Sequence, residues 1–249
     1  MIIIKSETEI RKIADACHIV AEVLDGLKGH ITEGMSTADI ESFVDQGISK
    51  RGAKAAFRGY RGYPSSACVS VNEQVIHGIP SRSVRLKAGD IVGVDIGTFL
   101  DGFYGDAAVT IPIGDIKAES AQLLKVTEEA LMLGIEKAVV GNRVGDISAA
   151  VQGHVEKHGY SVVRAFVGHG IGRSLHEEPQ VPNYGKAGQG PRLREGMTLA
   201  IEPMVNAGCS DVRVLNDGWT AVTTDGSWSA HFEHTIAITK QGPKILTKI

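Results

Sequence analysis

Four carboxylates of this 249-residue chain lie in segments that otherwise have the residues of buried strands. Asp95 lies in IVGVDIG, Asp106 in YGDAAVTI, Glu202 in TLAIEP and Glu233 in HFEHTIAI. Burying even a neutral polar group without a partner costs about 2–7 kcal/mol, so buried carboxylates need a shared compensating charge. A pair of divalent metal ions is the simplest such charge, and His169 in VGHGIG adds a nitrogen ligand.

Oxygen ligands with one imidazole suit Mn(II), Fe(II), Co(II) or Zn(II) better than a thiolate-rich structural zinc site. Carboxylates that bridge two ions must arrive from different strands, and a two-metal site activates water and clamps the oxygens of the reacting group. For any one of these acids, an edge position or an ion pair with Arg or Lys is the alternative interpretation. That alternative explains one acid more readily than it explains all four.

The elements that must position these acids begin with a hairpin. The segment DIVGVDIGTFLDGFYGDAAVTIPIG predicts two antiparallel strands joined by the two-residue turn Asp101-Gly102. A tight turn places Gly97 opposite Asp106, which makes Asp95 and Asp106 diagonal neighbours about 7–8 Å apart at the backbone. Two carboxylates at that distance can converge on one or two metal ions.

Apolar residues at helical spacing predict four helices. Ser6, with Glu9 three residues later, has the spacing of a capping box at the start of the first helix. The alternation over residues 67–72 predicts a strand. The four helices are expected at about residues 6–28, 37–50, 119–139 and 146–158.

The second half of the chain repeats the order of the first. REGMTLAIEP parallels KAGDIVGVDI, since in both a glycine precedes the acid by six residues. Asp106 and Glu233 each begin a strand that runs into a glycine turn. Helix, helix and strands with two carboxylates therefore occur twice. We predict a single catalytic domain over residues 1–249, with related halves of about 1–116 and 117–249 around a shared site.

Composition excludes several classes of protein. The net charge of −3 argues against a basic face for nucleic acid, and no apolar stretch reaches the roughly 18 residues of a membrane helix. The start of the chain has too short an apolar run for a signal peptide. Three cysteines without a CxxC motif indicate reduced thiols that fill a core in a cytosolic protein. The sequence lacks the glycine pattern of a phosphate-binding loop. It also lacks a Gly-x-Ser-x-Gly elbow, and this second absence argues against a serine hydrolase.

Two histidines and a set of aromatic residues have two interpretations each. His77 in VIHGIP and His176 in SLHEEP would, taken alone, be structural residues in turns, although both segments could line one cleft. The aromatic set could line an apolar pocket or simply pack in the core, and spacing alone favours core packing. The set consists of the aromatic residues Phe57, Tyr60, Tyr63 and Trp219 together with Cys68.

On the basis of these residues, we find that the chain resembles the type I methionine aminopeptidases over almost its whole length. The motifs are YRGYPSSACVSVNEQVIHGIP, GDIVGVDIG, YGDAAVTI, GHGIGRSLHEEPQVPNY, GMTLAIEPM and SAHFEHTIAI, in that order. The resemblance implies the α/β (α+β) pita-bread fold, an internally duplicated antiparallel sheet with helices on its outer face. It also implies removal of the N-terminal methionine from nascent or newly made proteins when the second residue is small. The reaction would be attack on the peptide bond by hydroxide that a dinuclear metal site activates.

The resemblance also assigns roles to the acids and the first histidine. It implies that Asp106 and Glu233 bridge two metals. It implies that Asp95 binds one metal and that His169 and Glu202 bind the other. Glu202 would also handle the proton of the attacking hydroxide.

Two further histidines would be catalytic by the same resemblance. His176 would donate a hydrogen bond to the scissile carbonyl or its oxyanion, and His77 would contact the scissile amide nitrogen and help the leaving group. Many relatives carry Phe in place of Leu175 and often Cys in place of Phe57, a change that would reshape the methionine pocket. That pocket would be lined by Phe57, Tyr60, Tyr63, Cys68, His77, Leu175, His176 and Trp219.

The resemblance also implies cofactors and partners. The cofactors are two divalent ions among Co, Mn, Fe, Zn and Ni, with a monovalent cation (Na or K) near Asn72 and Ser229. The partners are polypeptide N-termini that start with Met and the ribosome exit region, without nucleic acid as substrate and without a membrane. We expect a cytoplasmic monomer.

Two alternative functions stay open on the sequence alone. An X-Pro aminopeptidase or prolidase could use the same fold, although those relatives usually carry a large N-terminal domain. A non-catalytic binding protein could also use it, although such relatives lose ligands and this sequence has all five.

Overall fold

The structure, a computed structural model, describes residues 1–248. The four helices are α1 (Glu7–Lys28), α2 (Thr37–Lys50), α3 (Ala118–Glu136) and α4 (Val144–Lys157). The strands of the first half are β1 (Lys54–Ala55), β2 (Ala67–Val71), β3 (Gln74–Ile76), β4 (Ile91–Leu100) and β5 (Phe103–Pro112). The others are β6 (Ser161–Val162), β7 (Gly168–Gly170), β8 (Glu177–Val181), β9 (Thr198–Ile201), β10 (Met204–Asn206), β11 (Val212–Val214), β12 (Ala221–Thr223), β13 (Ser229–His231), β14 (His234–Thr239) and β15 (Gly242–Ile245).

Side-chain caps fix where the helices start. Ser6 Oγ accepts the Glu9 N–H and the Glu9 carboxylate accepts the Ser6 N–H, which confirms the predicted capping box of α1. Helix α4 begins at Val144, two residues before its predicted start. The reason is that the Asp146 carboxylate accepts the Arg143 N–H at 2.7 Å, so Asp146 lies inside the first turn as a cap.

The predicted hairpin is present with the predicted register. Strands β4 and β5 pair antiparallel over ten residues each, and Gly97 lies opposite Asp106. Asp101 has φ 47° and Gly102 has φ 86°, the two positive values that a type I′ turn requires. The short turn therefore sets the side of the sheet on which Asp95 and Asp106 project.

Within residues 1–248, all strand pairs are antiparallel, and the ladders form four sheets. One sheet contains β1, β2, β4 and β5, and another has the order β15-β14-β9-β7-β8. Strand β5 is joined to the second half at the site itself. Thr235 Oγ1 donates to the Asp106 carbonyl at 2.7 Å, and the Glu233 N–H donates to the Ala108 carbonyl at 2.9 Å.

The apolar core has two main clusters, one mostly in each half of the chain. Helices α1 and α2 pack on the first sheet around Val20, Ile40 and Val94, while α3 and α4 cover strands of the second half around Ile147 and Leu199. The strands thus carry packed helices, as the resemblance implied.

The three cysteines are free thiols. Cys17 and Cys68 are buried as predicted, but the prediction was wrong for Cys209, which is partly exposed in the loop before β11. Within residues 1–248, none of the helices has the length and apolar character needed to span a membrane.

Candidate metal centre

The five predicted metal ligands come from separate strands and meet in one place. Asp95 lies in the middle of β4 and Asp106 on β5. His169 is the central residue of β7, Glu202 follows β9 directly, and Glu233 lies between β13 and β14. None of the five is more than 9% exposed. Strand pairing therefore brings acids from both halves of the chain to one buried site.

The donor atoms lie within the reach of shared ions. Ligand atoms of Asp106, His169 and Glu233 all lie within 4.8 Å of one another. His169 Nε2 is 3.5 Å from Glu202 Oε1 and 3.9 Å from Asp106 Oδ2. These separations are too long for hydrogen bonds and suit donors that face a common centre.

The ring of His169 is oriented for metal binding. Its Nδ1–H donates to the Gly170 carbonyl at 2.9 Å, because a carbonyl oxygen can only accept. The lone pair on Nε2 therefore points toward Asp106 and Glu202. Burial lowers the pKa of His169 to about 4, so the ring is neutral at pH 7 and can act as a ligand.

Burial and mutual repulsion oppose ionisation of the clustered acids. Burial raises the pKa of Asp95 to about 7. Burial, with the neighbouring carboxylates, also raises the pKa of Asp106, Glu202 and Glu233 well above the ordinary range. In residues 1–248, no Lys or Arg forms an ion pair with these acids, and the side-chain oxygens Asp95 Oδ1, Asp106 Oδ1 and Glu233 Oε1 are buried without a hydrogen-bond partner.

Orphaned acidic oxygens beside a neutral imidazole are what divalent cations satisfy. The residues present therefore fit a metal site. A bound cation would favour the ionised carboxylates and reverse the upward shift of their pKa values.

A cavity of about 130 Å³ opens beside the acids. All eight residues predicted for substrate binding line it, so the aromatic set is more than core packing. The rings of Tyr63 and Trp219 meet edge to face at 5.1 Å. The wall thus offers rings and a thiol beside the acidic floor. The lining residues outside the acids and His169 are Phe57, Tyr60, Arg61, Tyr63, Cys68, Ile76, His77, Leu175, His176 and Trp219.

The two predicted catalytic histidines both face this cavity. His176 Nδ1 lies 2.9 Å from the Tyr60 hydroxyl, and its ring centroid is 4.2 Å from that of His169. Desolvation beside the cavity, with the nearby His169 and Arg61, lowers the pKa of His176 to about 3 although part of the residue is exposed, and desolvation lowers the pKa of His77 to about 4. Both rings are therefore neutral at pH 7, which leaves one N–H on each as a donor.

Two residues at the site were not predicted from the sequence. His231 is buried, and its Nε2 lies 3.9 Å from Glu202 Oε2 without a hydrogen-bond partner. Its closeness to Glu233 in HFEH was the available signal. Arg61 lines the cavity from a left-handed backbone conformation with φ 50°, which no spacing pattern indicates.

An antiparallel, helix-backed fold that gathers buried acids and a histidine beside an apolar cavity defines a metallopeptidase site. The sequence pattern of metallopeptidase family M24 matches residues 11–240. The chain belongs to metallopeptidase family M24 and, within it, to the methionine aminopeptidases. This confirms the predicted pita-bread fold, the predicted enzyme class and the use of divalent metal.

Two relatives support the assignment, and a third protein of different activity shares the fold. A methionine aminopeptidase from Clostridium acetobutylicum is 52% identical over 247 residues, which cover 99% of each chain. The crystal structure of a methionine aminopeptidase from Thermotoga maritima is 50% identical and matches with a TM-score of 0.99 over 100% of both chains. A prolidase from Pyrococcus horikoshii is 28% identical with a TM-score of 0.80, and the match covers 99% of this chain but 63% of the prolidase.

Proposed function

We propose that the protein removes the N-terminal methionine from nascent or newly made polypeptides whose second residue is small. One observation carries the proposal: an apolar cavity with rings and a thiol shares its floor with the cluster of acids. An unbranched thioether gains burial and sulfur–aromatic contact in such a cavity. The similarity to methionine aminopeptidases over the whole chain supports the same substrate.

The acids and His169 would hold two divalent ions. As the resemblance implies, the two ions would share Asp106 and Glu233, which reach the site from different halves of the chain. Asp95 would bind one ion, and His169 with Glu202 would bind the other. When bound, such ions lower the pKa of water toward about 7 and polarise a carbonyl.

The chain's own groups would then orient the substrate and move protons. The Tyr60 hydroxyl, 2.9 Å from His176 Nδ1, can donate to that atom and leave the proton on Nε2. His176 Nε2–H would then donate to the scissile carbonyl oxygen as negative charge develops there. Glu202, whose Oε1 lies 3.5 Å from His169 Nε2, would take a proton on its carboxylate. His77 would contact the scissile nitrogen and help the leaving amine.

The choice of metal and further partners are also proposed. Co, Mn, Fe, Zn and Ni all suit the donor set. A Na or K ion would bind near Asn72 and Ser229, where the Ser229 N–H donates to the Asn72 carbonyl at 2.9 Å. We place the protein in the cytoplasm as a monomer that works near the ribosome exit, and its free thiols fit a reducing compartment. Methionine would be selected in a pocket that has Leu175 and Phe57 in its wall.

The experiment is reconstitution of the metal-free protein with each candidate metal, followed by a peptide assay. Met-Ala-Ser should be cleaved at its first bond, while Ala-Pro peptides should not. Asp106→Asn should abolish cleavage, because it removes a charge from the centre of the cluster. Asp101→Asn is the matched control, since Asp101 is exposed on the same hairpin and Asn-Gly also suits its turn.

The two alternative functions are not favoured. The match to a prolidase structure covers 99% of this chain but only 63% of the prolidase, whereas the methionine aminopeptidases match over 99% or more of their own length. Equal turnover by the Asp106→Asn and wild-type proteins would contradict the proposed function.

A further inference from the structure

An ion pair lies buried beneath the loop that carries His176. Lys5 Nζ is 2.6 Å from Glu177 Oε2, and the two side chains are only 3% and 5% exposed. Removing both charges from water costs several kcal/mol, and such pairs are often no more stabilising than apolar residues of the same size. The position of this pair therefore suggests a role besides overall stability.

Both members of the pair are fixed by further contacts. The Lys5 N–H donates to the Gly196 carbonyl at 2.8 Å, which anchors the residue before α1. The second oxygen of Glu177, Oε1, accepts the Ser174 N–H at 3.2 Å. The carboxylate thus ties the strand that follows His176 to the loop that precedes it.

Because Gly172 has no side chain, the Lys5–Glu177 pair can lie directly against its backbone. A Cβ atom at Gly172 would lie 2.7 Å from Lys5 Cε and 2.8 Å from Glu177 Oε1. The loop over residues 171–176 therefore sits directly on the pair.

The same loop supplies two walls of the cavity. Leu175 and His176 both line it, and His176 contacts the Tyr60 hydroxyl. A misplacement of about 1 Å by a distant change can cost about 100-fold in rate. The contacts of Glu177 are thus well placed to control the position of His176.

We propose that Lys5, through Glu177, is a positioning residue that holds His176 against the scissile bond. This inference rests on the proposed function. Lys5 does not touch substrate, and its effect reaches the reaction only through the position of His176. Loss of the ion pair should therefore lower kcat by way of His176 and not by a general loss of folded protein.

The kinetic test is Lys5→Met, alone and combined with His176→Ala. We expect Lys5→Met to lower kcat for Met-Ala-Ser by about 10- to 100-fold with a small change in KM. In the His176→Ala protein, the same substitution should change kcat by less than about twofold, because residues that act as a unit are not additive. An equal loss in both backgrounds, or an unchanged kcat in the single variant, would overturn the proposal.

Arg173→Gln is the control on the same loop. Arg173 pairs with Glu9 at 3.1 Å, but its side chain is 64% exposed. Exposed pairs contribute little, so this variant should keep kcat within about twofold. A loss as large as that of Lys5→Met would show that any change in the loop suffices and would count against Lys5.

A second readout does not depend on activity. Hydrogen–deuterium exchange of the metal-free proteins should speed up over residues 171–177 in Lys5→Met, and stay unchanged there in Arg173→Gln. If wild type fails to cleave Met-Ala-Ser but the exchange result holds, the proposed function fails and the coupling of Lys5 to the loop stands. If Lys5→Met does not fold, Glu177→Gln, which keeps an acceptor for Ser174, is judged by the same criteria.

Discussion

A single methyl group at Gly97 should reshape the pocket next to the acids. Gly97 lies on β4, two residues beyond Asp95. A Cβ at this position would lie 2.6 Å from Phe57 Cε1 and 3.0 Å from the Ala56 Cβ. Phe57 forms part of the cavity wall and is 8% exposed. Gly97→Ala should therefore push the Phe57 ring.

The size of the effect follows from these distances. Carbon atoms pack best at about 3.5–4.0 Å, so the ring must move by about 1 Å. Overpacking of this kind costs about 1–3 kcal/mol. For a domain of this length that corresponds to a fall in Tm of about 2–12 °C. The KM for Met-Ala-Ser should rise more than kcat falls, because the moved ring belongs to the wall of the pocket and is not one of the proposed metal ligands.

The assay combines thermal unfolding and kinetics in a double-mutant cycle with Phe57→Ala. Once the ring is absent, Gly97→Ala should cost less than about 1 kcal/mol. Gly153→Ala is the matched control, since Gly153 lies within α4 and a Cβ there would meet no atom within 4 Å. That control should stabilise the protein by about 0.5–1 kcal/mol.

An unchanged Tm and KM in Gly97→Ala would refute the reasoning. An equal loss with and without the Phe57 ring would refute it too, since the damage would then come from the strand itself.

Three further predictions concern charge, pH and thiols. Asp106→Asn should lower kcat/KM at least 1000-fold (roughly 4 kcal/mol) while Asp101→Asn leaves it unchanged, as initial rates will show. Because burial raises the pKa of Asp95 to about 7, its contribution to the stability of the metal-free protein is present below about pH 4 and lost as the pH rises toward 7. The Tm gained on adding Mn(II) should therefore grow between about pH 5 and pH 7.5, and a gain that shrinks would contradict this. Disulfide exchange reagents should modify Cys209 first, because burial raises the pKa of Cys68 well above that of an ordinary thiol; a fast reaction of Cys68 would contradict this.

Local patterns were enough to predict the helices and the hairpin. The pair of Ser6 and Glu9 marks the start of α1. The two-residue turn Asp101-Gly102 determines which residues of β4 and β5 lie opposite each other. These features depend on neighbours in the chain, so the sequence contains them. The resemblance to known enzymes also predicted the eight substrate-binding residues, all of which line the cavity.

Contacts between distant segments could not be predicted in this way. Lys5 and Glu177 are 172 residues apart, and neither occurs in a pattern that suggests burial. Arg61 and His231 reach the site because of a left-handed backbone conformation and the pairing of β10 with β13. Such placements depend on how the sheets pack, which spacing along the chain does not encode.

The central claim is that acids from both halves of the chain bind a shared pair of metal ions. The most direct measurement is a crystal structure grown with Mn(II), with data collected for anomalous scattering. We expect two anomalous peaks, both in contact with Asp106 and Glu233, with His169 on one of them. An absence of peaks at the acids, or acids turned toward separate Lys or Arg side chains, would contradict it.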